Sequence, residues 1–131
     1  MKIDGACHCG DITFTAEIDS AQVLICHCTD CQTLSGSAYR TVAAATGDRF
    51  KLLSGTLKTY IKTAADGTRR TQTFCPECGT PIYAGPVVGE TGMPGIRVGA
   101  IKQRDRLKPS NQYYCGSAQE WTQDLSAVTR L

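Results

Sequence analysis

Apolar and polar residues alternate through much of this chain, and β-branched residues outnumber good helix formers in the alternating runs. The run Asp11-Ile12-Thr13-Phe14-Thr15-Ala16-Glu17-Ile18 puts an apolar side chain at every second position, as a half-buried strand does. Similar patterns predict strands over Tyr39–Ala45, Leu57–Thr63, Arg69–Phe74, Pro81–Ala84 and Ile96–Ile101. Turn residues separate them at Thr46-Gly47-Asp48, Ser54-Gly55 and Ala65-Asp66-Gly67. Asp66-Gly67 is a favoured hairpin pair and predicts a turn joining Leu57–Thr63 to Arg69–Phe74. Helical character is confined to one short turn over Thr29–Ser35. The stretch Gly85–Gly95, with Pro86, Gly89, Gly92 and Pro94, reads as a loop. The expectation is a mainly β fold in a single domain spanning residues 1–131, with its cysteines on turns.

At 131 residues the chain can bury a genuine core. Its net charge of +2 is near neutral, and Arg69-Arg70 is the longest basic run, which argues against a nucleic-acid partner. Scattered basic residues suit a small anionic ligand better than a polyanion, although most are expected to be solvated surface. Met1–Cys7 lacks the apolar stretch of a signal peptide, and no window is long enough for a membrane helix. A cytoplasmic location without a membrane partner is the resulting expectation. In a reducing compartment, close-spaced cysteines read as metal ligands or redox centres. Disulfides are the alternative, and a Cys-x-Cys bridge would be a strained ring. The pattern carries no signal of oligomeric state.

Seven of the eight cysteines fall into three clusters: Cys7-His8-Cys9, Cys26-His27-Cys28-Thr29-Asp30-Cys31, and Cys75-Pro76-Glu77-Cys78. Four ligands complete a tetrahedral zinc site, so seven divide most simply as four and three. Cys9-Gly10 and Cys78-Gly79 each end a cluster in glycine, which permits the tight turn of a zinc knuckle. Two facing knuckles would make a closed structural site from Cys7, Cys9, Cys75 and Cys78. Cys26, Cys28 and Cys31 lack the following glycine. They can hold one face of a zinc ion and leave the other open, as catalytic zinc sites do.

The alternative is a second structural site closed by Cys115 or His27. In an extended segment His27 points away from its neighbours Cys26 and Cys28, and His8 away from Cys7 and Cys9, which disfavours ligation by either histidine. Cys115 ends the strand-like Gln112-Tyr113-Tyr114-Cys115, where a buried free thiol is the commoner role. Tyr113 and Tyr114 should then face opposite ways, one of them toward the core. Trp121 is expected to pack in the core, with stacking on a ligand as the alternative.

Taken together, Gly5-x-Cys7-His8-Cys9-Gly10, Cys26-His27-Cys28-x-x-Cys31 with Ser35-Gly36-Ser37, Phe74-Cys75-x-x-Cys78-Gly79, and the final Ser117 and Trp121 form one pattern over nearly the whole chain. It resembles the glutathione-dependent formaldehyde-activating enzymes, whose domain also occurs in centromere protein V. The resemblance implies several coiled antiparallel β-sheets and two zinc ions per chain. It implies Cys7, Cys9, Cys75 and Cys78 as ligands of a structural zinc, and Cys26, Cys28 and Cys31 as ligands of a catalytic one. One departure is visible: many members carry a histidine ahead of the final Ser and Trp, near the position of Gln112.

The implied reaction joins glutathione to formaldehyde as S-(hydroxymethyl)glutathione, or cleaves that carbon–sulfur bond in reverse, as a zinc-dependent carbon–sulfur lyase. A thiol sulfur in the open metal position would attack the aldehyde carbon, with water, Ser37, Tyr39 or His27 as candidate proton donors. Arg40, Arg97 and Lys102 are candidates for the carboxylates of the thiol, with Tyr39 beside Arg40 as a further binding candidate. Two other readings compete: a non-catalytic zinc-stabilised module that binds a protein or chromatin, and a thiol redox or metal sensor built on Cys26, Cys28 and Cys31.

Overall fold

The computed structural model describes every residue from Met1 to Leu131. The alternation that begins at Ile12 leads into a 14-residue strand, β2 (Thr13–Cys26), which buries Phe14, Ala16 and Ile18 and is the spine of the fold. Alternation fails at Asp19-Ser20-Ala21-Gln22, and there the pairing register shifts, between Ile18 and Val23. The Asp19 carboxylate stabilises the bend by accepting from the Ala21 amide (2.9 Å) and the Gln22 side chain (2.9 Å). Before the bend β2 pairs with β1 (Lys2–Ala6) and β4 (Lys51–Ser54). β3 (Arg40–Ala45) pairs with β2 on both sides of the bend, at Ile18 and again over Val23–Cys26, and after it β9 (Asn111–Tyr113) pairs with β2 in parallel.

The remaining strands are β5 (Lys58–Thr63), β6 (Arg69–Phe74), β7 (Pro81–Pro86) and β8 (Gly95–Arg97). The nine strands follow the order β1-β2-β3-β8-β7-β6-β5, with β4 and β9 both attached to β2; every pair except β2–β9 is antiparallel. The β5–β6 hairpin turns at Asp66-Gly67, where Gly67 takes φ +86° and the Ala64 and Thr68 backbones close the turn. The helix α1 (Thr29–Ser35) stops at Gly36, whose left-handed φ of +63° returns its amide to the Gln32 carbonyl. No helix is long and apolar enough to cross a membrane.

The core gathers Ile3, Ile12, Phe14, Ile18, Ile82, Ile96 and Ile101 between the two parts of the sheet. Phe14 stacks on Phe50 at 5.1 Å, and Phe50 meets Tyr83 at 4.8 Å. Gly5, paired with Phe14 in the β1–β2 register, lies directly beneath the Phe14 ring: a Cβ there would fall 2.0 Å from the ring tip.

Four expectations are corrected. The strand expected over Ile96–Ile101 ends at Arg97, and Val98–Ala100 coils into a 3-10 turn; Ile101 is nonetheless buried, with its amide on the Val98 carbonyl. Cys115 is exposed rather than a buried hydrophobe, because Tyr114 adopts a left-handed φ of +58° and carries the chain off the sheet. The same break leaves Tyr113 and Tyr114 both exposed and Trp121 57% exposed, outside the core.

Candidate metal centres and the cavity between them

Cys7 follows β1 and Cys75 follows β6, and the two turns that begin there face each other. Gly10 and Gly79 take φ of +88° and +74°, and their amides close the turns on the carbonyls of Cys7 (3.2 Å) and Cys75 (2.9 Å). The Ile12 amide donates to Cys7 Sγ at 3.2 Å. Thr80 stitches the turns together: its hydroxyl accepts from the His8 amide at 3.0 Å and lies 3.1 Å from Cys78 Sγ. That hydroxyl, with the Cys9 backbone, holds the Cys78 thiol down at about 5.

The four sulfurs of Cys7, Cys9, Cys75 and Cys78 lie within 4.8 Å of one another, with Cys7–Cys9 at 3.5 Å and Cys9–Cys75 at 3.8 Å. Ligands at zinc–sulfur distance define a tetrahedron with edges of about 3.8 Å, whereas a disulfide needs about 2.05 Å. The cluster therefore fits a tetrahedral metal and is not a pair of disulfides.

The second cluster is local. Cys26 ends β2, Cys28 caps α1, and Cys31 lies in its first turn, so β2 and α1 set all three sulfurs. They also lie within 4.8 Å of one another, with Cys26–Cys28 at 3.5 Å and the Cys31 amide donating to Cys28 Sγ at 3.3 Å. Cys26 is held down at about 5, chiefly by the hydrogen bond from Cys31, while the same contact pushes Cys31 up.

Neither residue that might have closed this site does so. His27 is buried on the far side, donating from Nε2 to Gln112 Oε1 at 2.8 Å with its ring edge-on to Tyr39. Cys115 is exposed and outside the cluster. The loop is instead clamped from behind by the C-terminal segment. Tyr113 accepts from the His27 amide (3.0 Å), Ser117 Oγ donates to the His27 carbonyl (2.9 Å), and Gln32 Nε2 reaches both His27 O and Ser117 O. Gln112 thus serves as the hydrogen-bond partner of His27.

Between the two clusters opens a cavity of about 490 Å³. Leu34 and Arg40 border it from the three-cysteine side, and Phe74, Gly79 and Pro81 from the four-cysteine side. Arg40 and Arg97 both line it, and both donate to Gln72 Oε1, at 3.1 and 2.8 Å. Burial lowers Arg40 and, together with the charge of Arg40, drops Arg97 to about 9. Lys62, ion-paired with Asp30 at 2.9 Å, adds a third cation felt by Cys26, Cys28 and Cys31.

Tyr39 does not join Arg40 here; it shares a separate shallow hollow with Ser37, Trp121 and Leu125. Lys102 is exposed, with its amide on Asp4. Gln72 and Lys62 carry no sequence signal, since each reads as an ordinary polar residue on a strand.

A β-rich domain with one complete four-thiolate set and one three-thiolate set beside a cavity defines a class of cysteine-ligated metal-site proteins. Residues 2–117 match the family described as glutathione-dependent formaldehyde-activating enzyme, and the chain belongs to that family. Among solved structures, a Rhodobacter sphaeroides protein from the Northeast Structural Genomics programme superposes with a TM-score of 0.63 at 22% identity, over 86% of this chain and 99% of that one. At that identity the likeness is one of fold. No match is found among curated proteins.

Proposed function

We propose that the protein is a zinc-dependent enzyme joining a thiol, glutathione or a close relative, to formaldehyde or another small aldehyde as an S-(hydroxymethyl) adduct. Run in reverse, the same site acts as a carbon–sulfur lyase. The observation that carries this reading is the convergence of Cys26, Cys28 and Cys31 with no fourth protein ligand, beside a cavity lined by Arg40 and Arg97. In this reading Cys7, Cys9, Cys75 and Cys78 hold a structural zinc, and Cys26, Cys28 and Cys31 hold the catalytic one. What zinc supplies when held by three cysteines is a lowered pKa for an incoming thiol.

The protein's own residues do the rest. The Tyr113–Ser117 clamp fixes the ligand loop from behind, so its geometry does not relax when substrate arrives. Arg40 and Arg97 draw an anionic thiol into the cavity and orient it. The sulfur lone pair adds to the aldehyde carbon, and the proton lost from the thiol ends on the new hydroxymethyl oxygen. Solvent carries that proton: His27 is committed to Gln112, and Tyr39 and Ser37 lie in the separate hollow. Confining two partners that react readily in water is the main source of acceleration. A reducing cytoplasmic setting belongs to this reading, because the seven clustered cysteines must stay unoxidised to serve as ligands.

A glutathione titration of cobalt-substituted protein tests the proposal. Growth and shift of the thiolate-to-cobalt absorption, saturating near about one equivalent and lost in Cys28→Ser, is expected of an open three-cysteine site. An unchanged spectrum with both metals retained would sink it and leave a zinc-stabilised binding module.

A further inference from the structure

Buried arginines are ordinarily matched by carboxylates, because an unpaired buried charge is costly. Arg40 and Arg97 are 5% and 9% exposed, and no Asp or Glu pairs with either; the ion pairs of this chain are Arg49–Glu17, Lys62–Asp30 and Arg69–Glu90. Two guanidiniums, with five N–H donors apiece, converge instead on one neutral oxygen, Gln72 Oε1. Arg97 Nε is shielded from solvent and has no partner at all.

The three groups stand on separate strands, Arg40 on β3, Arg97 on β8 and Gln72 on β6, so the convergence is built into the sheet rather than left to a loop. Part of the charge is offset nearby. Three thiolates around a divalent zinc carry a single net negative charge, and both arginines feel Cys26 and Cys31. That offset supplies no hydrogen-bonding anion: Gln72 Oε1 remains the acceptor that the two guanidiniums share.

We propose that Arg40, Arg97 and Gln72 form a carboxylate receptor that restricts the enzyme to acid-bearing thiols, with Gln72 the neutral occupant that orders the arginine pair until a carboxylate arrives. The proposal rests on the cavity being the thiol site. A carboxylate supplies the charge and the bidentate geometry that the Gln72 amide lacks. Simple thiols without an acid group, such as 2-mercaptoethanol, would offer the two arginines no carboxylate and bind poorly.

S-methylglutathione tests the receptor apart from catalysis, because its alkylated sulfur cannot ligate metal as a thiolate. Calorimetric titration of the zinc-loaded protein is expected to show binding that weakens at least about tenfold for the dimethyl ester and for Arg97→Lys. Gln72→Glu installs a carboxylate permanently. It should abolish binding while raising Tm, whereas Gln72→Leu should lower Tm by leaving the arginines without an acceptor. Equal affinity for acid and ester overturns the proposal, as does no binding to the wild type. Loss of binding in Gln72→Glu together with a lowered Tm also overturns it.

Adduct formation from glutathione and formaldehyde, followed separately by NMR, distinguishes the two proposals. Binding without adduct formation refutes the enzyme and keeps the receptor; adduct formation with indifference to esterification does the reverse.

Discussion

The two cysteine clusters use the same ligand chemistry and do opposite things for the chain. One joins residues that are far apart: Cys9 and Cys75 are separated by 66 positions, and Cys7 and Cys75 are buried at the edge of the core. The other draws its three sulfurs from six consecutive residues, is only half-buried, and is braced by hydrogen bonds rather than by the core. A metal in the first cluster would close a long loop and contribute folding free energy directly. A metal in the second would add little to the fold, since Thr29–Ser35 and Cys26 are already placed by backbone pairing. In the proposed reading, structural and chemical duties are therefore separated by sequence distance between ligands, not by ligand type.

The sharpest way to break that contrast is to remove one ligand from each side. Cys75→Ser should unfold the protein. Apparent zinc-binding energies of about 10–16 kcal/mol in small domains match or exceed a typical total stability of about 5–15 kcal/mol. Circular dichroism melts would check it, and a cooperative transition within a few degrees of wild type would count against a structural role. Cys28→Ser should leave that melt nearly unchanged while lowering adduct formation by more than about 100-fold, beyond the range expected for losing a supporting residue.

Graded chelation sharpens the same point. The three-cysteine metal should leave first, with activity lost before secondary structure; simultaneous loss of both would argue that the clusters are equivalent.

Smaller effects probe the bracing. Ser117→Ala removes the donor to the His27 carbonyl and should weaken metal retention at the local cluster by about tenfold with about 1 kcal/mol or less of global destabilisation. Loss of the four-cysteine metal instead would mean that the clamp supports the wrong site. Lys62→Ala is expected to change least. Its partly exposed pair with Asp30 is worth about 0–1 kcal/mol, so the melt should hardly move while the KM for an anionic thiol rises by a small factor. A KM unchanged at low ionic strength would show that Lys62 takes no part in attracting the substrate.

What could be read from the chain follows from how local each feature is. The grouping of the cysteines was legible because their spacing, with a following glycine at Cys9 and Cys78, is written within a few residues, and the structure brings the same seven sulfurs together in two clusters. Helix α1 and strand β6 occupy the expected residues, because Gly36 and the Asp66-Gly67 turn define their ends. Strands β1 and β4 and the second half of β2 left no clear pattern. β4 is wholly exposed, and the second buried residue of Lys2–Ala6 is Gly5, which lies beneath Phe14 and adds no apolar signal of its own. Cys115 and Trp121 were misplaced because burial depends on what covers a residue, and the left-handed turn at Tyr114 removes the cover. Gln72 was invisible for a related reason. Its importance lies in two arginines from β3 and β8, brought to it by strand order alone.

The clamp across His27 also dictates an order of events during synthesis. Cys26, Cys28 and Cys31 emerge from the ribosome long before Gln112 and Ser117, which lie 85 and 90 positions further along from His27. A growing chain therefore presents a three-thiolate chelate before it owns the frame that shapes it, while the four-cysteine cluster must wait for Cys75. Metal captured early would sit in a pliable loop and be fixed only when the C-terminal segment docks. Refolding followed by hydrogen exchange should then find the His27 amide among the last to be protected, and early protection would reverse that sequence. On that order, the last stretch of sheet to form would be the one that turns a loose chelating loop into a shaped site.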